Sequence, residues 1–218
     1  MMDQQELKLS IPKDELAKLP AAEFTGQIHL IETAADARAA LRYLSRCPMV
    51  GFDTETRPSF RKGRTHHVSL VQISTEDTCF LFRINKTGFI QQLREFFESE
   101  SVIKVGLSTK DDIRCLNKIE SFEPKGILEL QNYVRDFGII DASLTRIYGI
   151  IFGQRISKGQ RLTNWEAAEL TSAQQHYAAL DAWACLNLYH HLSAGGFNPE
   201  DSEYIVTETE EENAELEP

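Results

Sequence analysis

The stretch "MVGFDTET" closes an apolar run with two carboxylates at alternate positions, Asp53 and Glu55. On a strand, side chains two apart leave the same face, so this pair can share one cation or hold two neighbouring ones. All-oxygen ligands of this kind suit hard divalent ions such as Mg²⁺ or Mn²⁺. The apolar lead puts the pair at the carboxyl end of a central strand, where ligand sites of open α/β sheets gather. A second acid comes from "KVGLSTKDDIRCL", an apolar strand running into a helix. Asp112 has Leu116 four residues on and turns toward the sheet, whereas Asp111 is rotated about 100° away, toward solvent. A third comes from "QQHYAALDAW", where Asp181 follows His176 by five residues and Tyr177 by four. Thr171 and Gln174 fit a capping box, so both candidates lie inside the helix. Tyr177 then shares the face of Asp181, Ala184 and Leu188, while His176 points about 140° from Asp181. A carboxylate in the middle of an inward stripe is costly to bury unless a cation pairs with it.

Positioning these acids requires a sheet with helices packed on it. "QIHLIE" reads as a short strand, and "TAADARAALRYLSR" as a helix with Thr33 as N-cap. "MVGFDTET", "HHVSLVQIST" and "TCFLFRI" form an antiparallel meander joined by short loops. The rhythm then alternates: helix "GFIQQLREFFES", strand "VIKVGLS", helix "TKDDIRCLNKI", strand "GILEL", and helix "QNYVRDFG" closed by Gly138. "DASLTRIYGIIFG" continues as helix with Asp141 as its cap. "SKGQRLTNW" is a polar basic loop, and the last long helix starts at "TSAQQ". A meander followed by alternating strands and helices predicts an α/β domain: a mixed five-stranded sheet, antiparallel then parallel, with helices on both faces. The organisation expected is an N-terminal extension over 1–25, one domain over 26–198, and an acidic, disordered tail over 199–218.

Hydrophobic content of 42% and charged content of 26% are those of a globular chain. The apolar runs are too short to cross a bilayer. The start, "MMDQQELKLSIPKDELAKLP", does not read as a signal peptide, so a cytoplasmic location without membrane contact is expected. Cys47, Cys79, Cys115 and Cys185 form no CxxC pair, which points to buried thiols without a zinc site or disulfide framework. The net charge of −10 is carried by the end of the chain: nine acids and no Lys or Arg fall between Glu200 and Pro218. Without those nine, 24 acids face 23 bases, and the body is near neutral.

"FDTET", "KVGLSTKDDIRCL" and "RLTNWEAAELTSAQQHYAALDAW", in this order and separation, resemble the DEDD superfamily of 3'-to-5' exonucleases. The similarity runs from about Met49 to Leu192 and points to the tyrosine-using branch, the group of ribonuclease D and the Werner-type exonuclease domain. It implies a ribonuclease H-like fold and phosphodiester hydrolysis with two divalent cations, Mg²⁺ or Mn²⁺. Asp53, Glu55, Asp112 and Asp181 correspond to its metal ligands, Tyr177 to the residue that orients the attacking water, and Glu55 also to a contact with the terminal 3'-hydroxyl. "HYAALD" satisfies the histidine branch's H-x-A-x-x-D spacing as well, so His176 stays as the rival. One departure is "GLST", where many relatives carry His or Asn after the glycine.

The expected substrate contacts surround these motifs. The loop "RPSFRKGRTHH" carries Arg57, Arg61, Lys62 and Arg64 with no acid, suited to phosphates, and Phe60, suited to stacking on a base. Lys158 and Arg161 form a second candidate contact, with Trp165 either joining them or packed in the core. A local basic strip on a neutral body favours nucleic-acid 3' ends, single-stranded or overhanging, over coating of long duplex. The alternative on the same fold is a catalytically silent nucleic-acid-binding or protein-interaction module.

Overall fold

The computed structural model describes residues 7–60, 63 and 65–206. Its helices are α1 (Lys13–Lys18), α2 (Ala34–Leu44), α3 (Ile84–Thr87), α4 (Gln91–Glu98), α5 (Thr109–Leu116), α6 (Leu130–Tyr133), α7 (Leu144–Phe152) and α8 (Ser172–Ser193). The strands are β1 (Gln27–Ile31), β2 (Met49–Thr56), β3 (Val68–Ser74), β4 (Thr78–Arg83), β5 (Ile103–Gly106) and β6 (Ile127–Glu129).

The meander forms as its alternation predicts: β2 pairs antiparallel with β3, and β3 with β4. β5 and then β6 add in parallel beside β2. The sheet has six strands, not five, in the order β1-β4-β3-β2-β5-β6. The additional strand is β1, which reads as a strand in sequence but crosses over α2 to join β4 in parallel at the edge. β2, the acid-bearing strand, lies in the interior. Its register with β3 slips between Glu55 and Thr56, which face Leu70 and Val68 and leave Ser69 opposite neither. Such bulges re-aim side chains at strand ends.

Helices cover both faces. On one, Leu41, Leu44, Phe52, Phe82, Phe96, Phe97 and Leu116 bring α2, α4 and α5 onto the sheet. On the other, Val105, Leu130, Ile147, Trp165, Ala182 and Leu186 bring in α6, α7 and α8. α8 lies very close to β2 because the strand has a glycine where the helix crosses. A Cβ on Gly51 would collide with the Ala182 carbonyl oxygen. Asp53 lies two residues beyond Gly51 on β2 and Asp181 directly precedes Ala182 on α8, so this approach sets how near the two acids come.

Three local expectations change. Asp141 is not a helix cap: α7 begins with Ser143 as N-cap, without a side-chain cap bond. The Asp141 carboxylate instead accepts from Ser10 Oγ (3.1 Å), Ile11 N (3.0 Å) and Arg146 Nη1 (2.8 Å). It thereby ties the N-terminal extension to the body, where Leu9 and Ile11 are fully buried. "QNYVRDFG" does not make one helix: α6 passes into a 3-10 turn, Val134–Phe137, that ends at Gly138 in the left-handed region (φ 75°). The expectation of disorder does not hold for the first part of the acidic tail. Pro199–Asp201 form a 3-10 turn, and Ile205 bridges to Leu9, which also bridges to Ile139. Residues 207–218 lie outside the described residues.

Candidate active site

β2 delivers Asp53 and Glu55 to one face, and α8 lays Asp181 against them. Ligand oxygens of these three lie within 4.8 Å of one another. Glu55 and Asp181 are buried, and Asp53 is half-buried. Asp112 reaches the same strand end from the first turn of α5. Its Oδ1 accepts a hydrogen bond of 2.5 Å from Thr54 Oγ1, the residue between the other two β2 positions. Gln72 Nε2 of the neighbouring strand donates to Asp53 Oδ2 at 3.4 Å.

Burial and mutual repulsion hold these carboxyls above their ordinary range. Burial raises Asp53 well above it, and the charge of Asp181 adds to the effect. Glu55 is pushed up to about 10, by burial first and then by Asp53, Asp181 and Asp112. Asp112 is raised to about 8 by burial and Asp53, against the Thr54 hydrogen bond. Asp181 is raised to about 7 by burial, opposed by its hydrogen bond from Tyr177 and by Lys158. An all-oxygen donor set so short of positive charge fits a hard divalent cation, which would replace the protons.

Thr171 caps α8 as expected, its Oγ1 accepting from Gln174 N (3.2 Å) while Gln174 Oε1 accepts from Thr171 N (3.0 Å). The helix is therefore in phase from its first turn. Tyr177 faces Asp181 and hydrogen-bonds to it; burial and the surrounding carboxylates raise its pKa, so the hydroxyl stays protonated and donates. His176 is exposed, with Nδ1 2.8 Å from the Ser172 carbonyl oxygen, away from the acids.

A cleft of about 300 Å³ opens beside the acids, lined by Asp53, Asp181, Tyr177, Lys158 and Arg161, with Ala142 to Thr145 as its wall. Lys158 and Arg161 are exposed and their charges act on Asp181 and Glu55 respectively. Trp165 is fully buried, its ring 6.1 Å from that of Tyr177, so it packs behind the tyrosine and does not face substrate. Arg57 is engaged: its guanidinium donates to Glu166 at 3.0 Å. Phe60 is 84% exposed. Arg61, Lys62 and Arg64 lie outside the described residues.

Sequence reading missed the residues that hold the site. Glu129, at the end of β6, accepts from Ser108 N (2.9 Å), Thr109 N (2.7 Å) and Thr109 Oγ1 (2.8 Å). It caps α5 from outside that helix, where Ser108 takes a left-handed conformation (φ 62°) and makes no side-chain cap bond of its own. Gln131 Nε2 bridges Ser108 Oγ (3.0 Å) and the Ala142 carbonyl (2.8 Å), joining the start of α5 to the cleft wall. At the other side, Arg83, fully buried at the end of β4, donates to the Ala168 carbonyl at 3.0 Å and to that of Ala167. It holds the loop before α8 to the sheet. Only an acid closing a short strand signals Glu129, and no spacing links it to α5.

The chain matches the family model described as 3'-5' exonuclease over residues 28–195. It is 26% identical to the exonuclease mut-7 homolog of Aedes aegypti, over 74% of this chain and 26% of that protein. To the bifunctional 3'-5' exonuclease/ATP-dependent helicase WRN of Mus musculus it is 29% identical, over 97% of this chain and 16% of the relative. The chain thus spans about a quarter or less of the length of these two curated relatives. Among solved structures, the Nibbler EXO domain of Aedes aegypti superposes with a TM-score of 0.72 at 24% identity, covering 83% of this chain and 97% of that one. That likeness is one of fold.

Proposed function

The chain belongs to the 3'-5' exonuclease family, and from that premise we propose that it shortens single-stranded or overhanging nucleic acid from the 3' end by a two-metal hydrolysis. The observation that carries the reading is the meeting of Asp53, Glu55 and Asp181 within 4.8 Å, with Asp112 bonded to Thr54 beside them. A binding module would have no use for acids buried at such cost.

In this reading Asp53, Glu55, Asp112 and Asp181 hold two divalent cations, Mg²⁺ or Mn²⁺. When bound, the ions would neutralise the scissile phosphate and lower the pKa of an attacking water. The chain's own groups do the rest. Tyr177, kept protonated and hydrogen-bonded to Asp181, orients water with its hydroxyl from inside the cleft. It needs no histidine base. Glu55 meets the terminal 3'-hydroxyl. Lys158 and Arg161 at the cleft rim take the phosphate of the outgoing nucleotide, and exposed Phe60 stacks on a base.

The test is incubation of 5'-labelled single-stranded DNA and RNA with Mg²⁺ or Mn²⁺, comparing wild type with Asp53→Ala. A ladder of shortened products that disappears in the variant supports the proposal; no shortening of either polymer with either metal sinks it and leaves the silent binding module. Tyr177→Phe and His176→Ala then decide the branch. The first should cut turnover with metal affinity retained and the second should be mild; a dead histidine variant reverses the assignment.

A further inference from the structure

The cleft wall formed by Ala142 to Thr145 closes one side of the acids, so a polymer whose end enters there must leave by another. On the α5 side of the sheet, the carboxyl end of β4 and the amino end of β3 border a second cavity, of about 420 Å³. Its rim carries His66, His67, Asn85 and Lys118, and its one acid is Glu166. That acid is already matched, bound by Arg57 and by His66 Nδ1, each at 3.0 Å. His67 and Lys118 are exposed, and among the described residues neither side chain has a hydrogen-bond or ion-pair partner. Imidazole, ammonium and carboxamide donors around a neutralised carboxylate form a surface suited to an anion.

The cavity is also in the right place. His66 and His67 lead directly into β3, whose first residue, Val68, pairs with Thr56, next after Glu55. Lys118 stands two residues beyond the end of α5, the helix that carries Asp112. The same Glu166 that closes the cavity holds Arg57, two residues beyond Glu55.

We propose that this cavity binds a backbone phosphate of the substrate strand upstream of the scissile bond, with Lys118 and His67 as its contacts. The proposal rests on the exonuclease reading above. The strand then has its 3' end in the cleft beside α8, passes the four acids at the end of β2, and continues to the α5 side. Phosphate contacts of this kind fix register without reading bases.

The experiment measures steady-state cleavage of single-stranded oligonucleotides from a dinucleotide upward by wild type, His67→Ala, Lys118→Ala and the double variant, with Lys118→Arg as control. All the substituted side chains are exposed, and equal melting temperatures exclude a folding defect. The expected result is an unchanged kcat throughout, an unchanged KM for the dinucleotide, and a KM raised on the order of 10-fold for long substrates in the double variant, restored toward wild type by arginine at 118. The slope of log affinity against log salt should shrink by about 0.7 with Lys118→Ala, the contribution of one phosphate contact on a single strand. An equal KM at every length, or an equal loss on dinucleotide and long substrates, overturns the proposal. If wild type shortens nothing, the exonuclease reading fails separately. Fluorescence anisotropy with the long oligonucleotide still tests the cavity: unchanged affinity in Lys118→Ala refutes it, and weaker affinity with a shallower salt slope supports it.

Discussion

α8 and α5 bring acids to the same strand end by opposite means. α8 is 22 residues long, caps itself through Thr171 and Gln174, and presses Ala182 onto Gly51, so Asp181 sits in the middle of a long, firmly seated element. α5 has eight residues and starts from a left-handed Ser108. Its amide ends are satisfied by Glu129 from another strand, and Asp112 is steadied by a hydroxyl on β2. One acid is built into its helix; the other is held by its neighbours. A site assembled this way fails locally on the α5 side and globally on the α8 side.

The largest effect expected is on chemistry and treats both helices alike. Asp181→Ala and Asp112→Ala should each lower kcat by more than about 100-fold, beyond the range seen for outer-shell partners of a metal. If Asp112→Ala kept most of the activity, α5 would not belong to the site and the comparison would collapse. Glu129→Ala separates the helices. It should cost about 10- to 100-fold in activity or Mg²⁺ affinity by loosening the start of α5, with Glu129→Gln milder because one acceptor oxygen remains. Calorimetric Mg²⁺ titration reads this, and an unchanged metal midpoint counts against the role assigned to Glu129.

The third expectation concerns pH. Glu55 ionises at about 10 in the folded protein against an ordinary 4.5, so the folded state holds the proton longer than the unfolded chain. Without metal, this contribution to stability is present at low pH and lost as pH rises from about 4.5 toward about 10, and Asp112 adds to it up to about 8. In the proposed two-metal site Mg²⁺ would bind only the deprotonated acids, so the gain in melting temperature between EDTA and MgCl₂ should grow from pH 6 to pH 8.5. A gain independent of pH speaks against proton-coupled metal binding by these carboxyls. The smallest effect is at the self-capped helix. Thr171→Ala should cost about 1 kcal/mol of stability in urea melts and leave kcat unchanged, since α8 stays seated on Gly51. A large loss of activity there would show α8 to be as dependent on its cap as α5.

The same contrast explains what the sequence disclosed. α8 was legible because its cap, its phase, Tyr177 and Asp181 lie within eleven residues, and helical geometry alone then separates the directions of Tyr177 and His176. Asp53 and Glu55 were legible because a strand's period of two is short-range. Glu129 and Gln131 were not, because they act on Ser108 and Thr109 from about 20 residues away, and such pairings follow from strand order in space. The bulge opposite Ser69 and the engagement of Arg57 by Glu166 are hidden for the same reason. Asp141 misled because an acid before a helix has the form of a cap; its carboxylate serves the N-terminal extension instead.

Gly51 carries a consequence for ion choice. The absence of a methyl group lets α8 approach β2, and every displacement of that helix would be passed to the gap between Asp53 and Asp181. Metal–oxygen distances are about 2.1 Å for Mg²⁺ and about 2.4 Å for Ca²⁺, so a few tenths of an ångström decide which ion a rigid set of carboxylates prefers. In Gly51→Ala the helix must lift, the aperture widens, and the Ca²⁺ to Mg²⁺ affinity ratio should rise; an unchanged ratio in a folded variant would refute this. In the proposed two-metal site, ionic radius would then be gauged by a position that offers no ligand atom and no side chain at all.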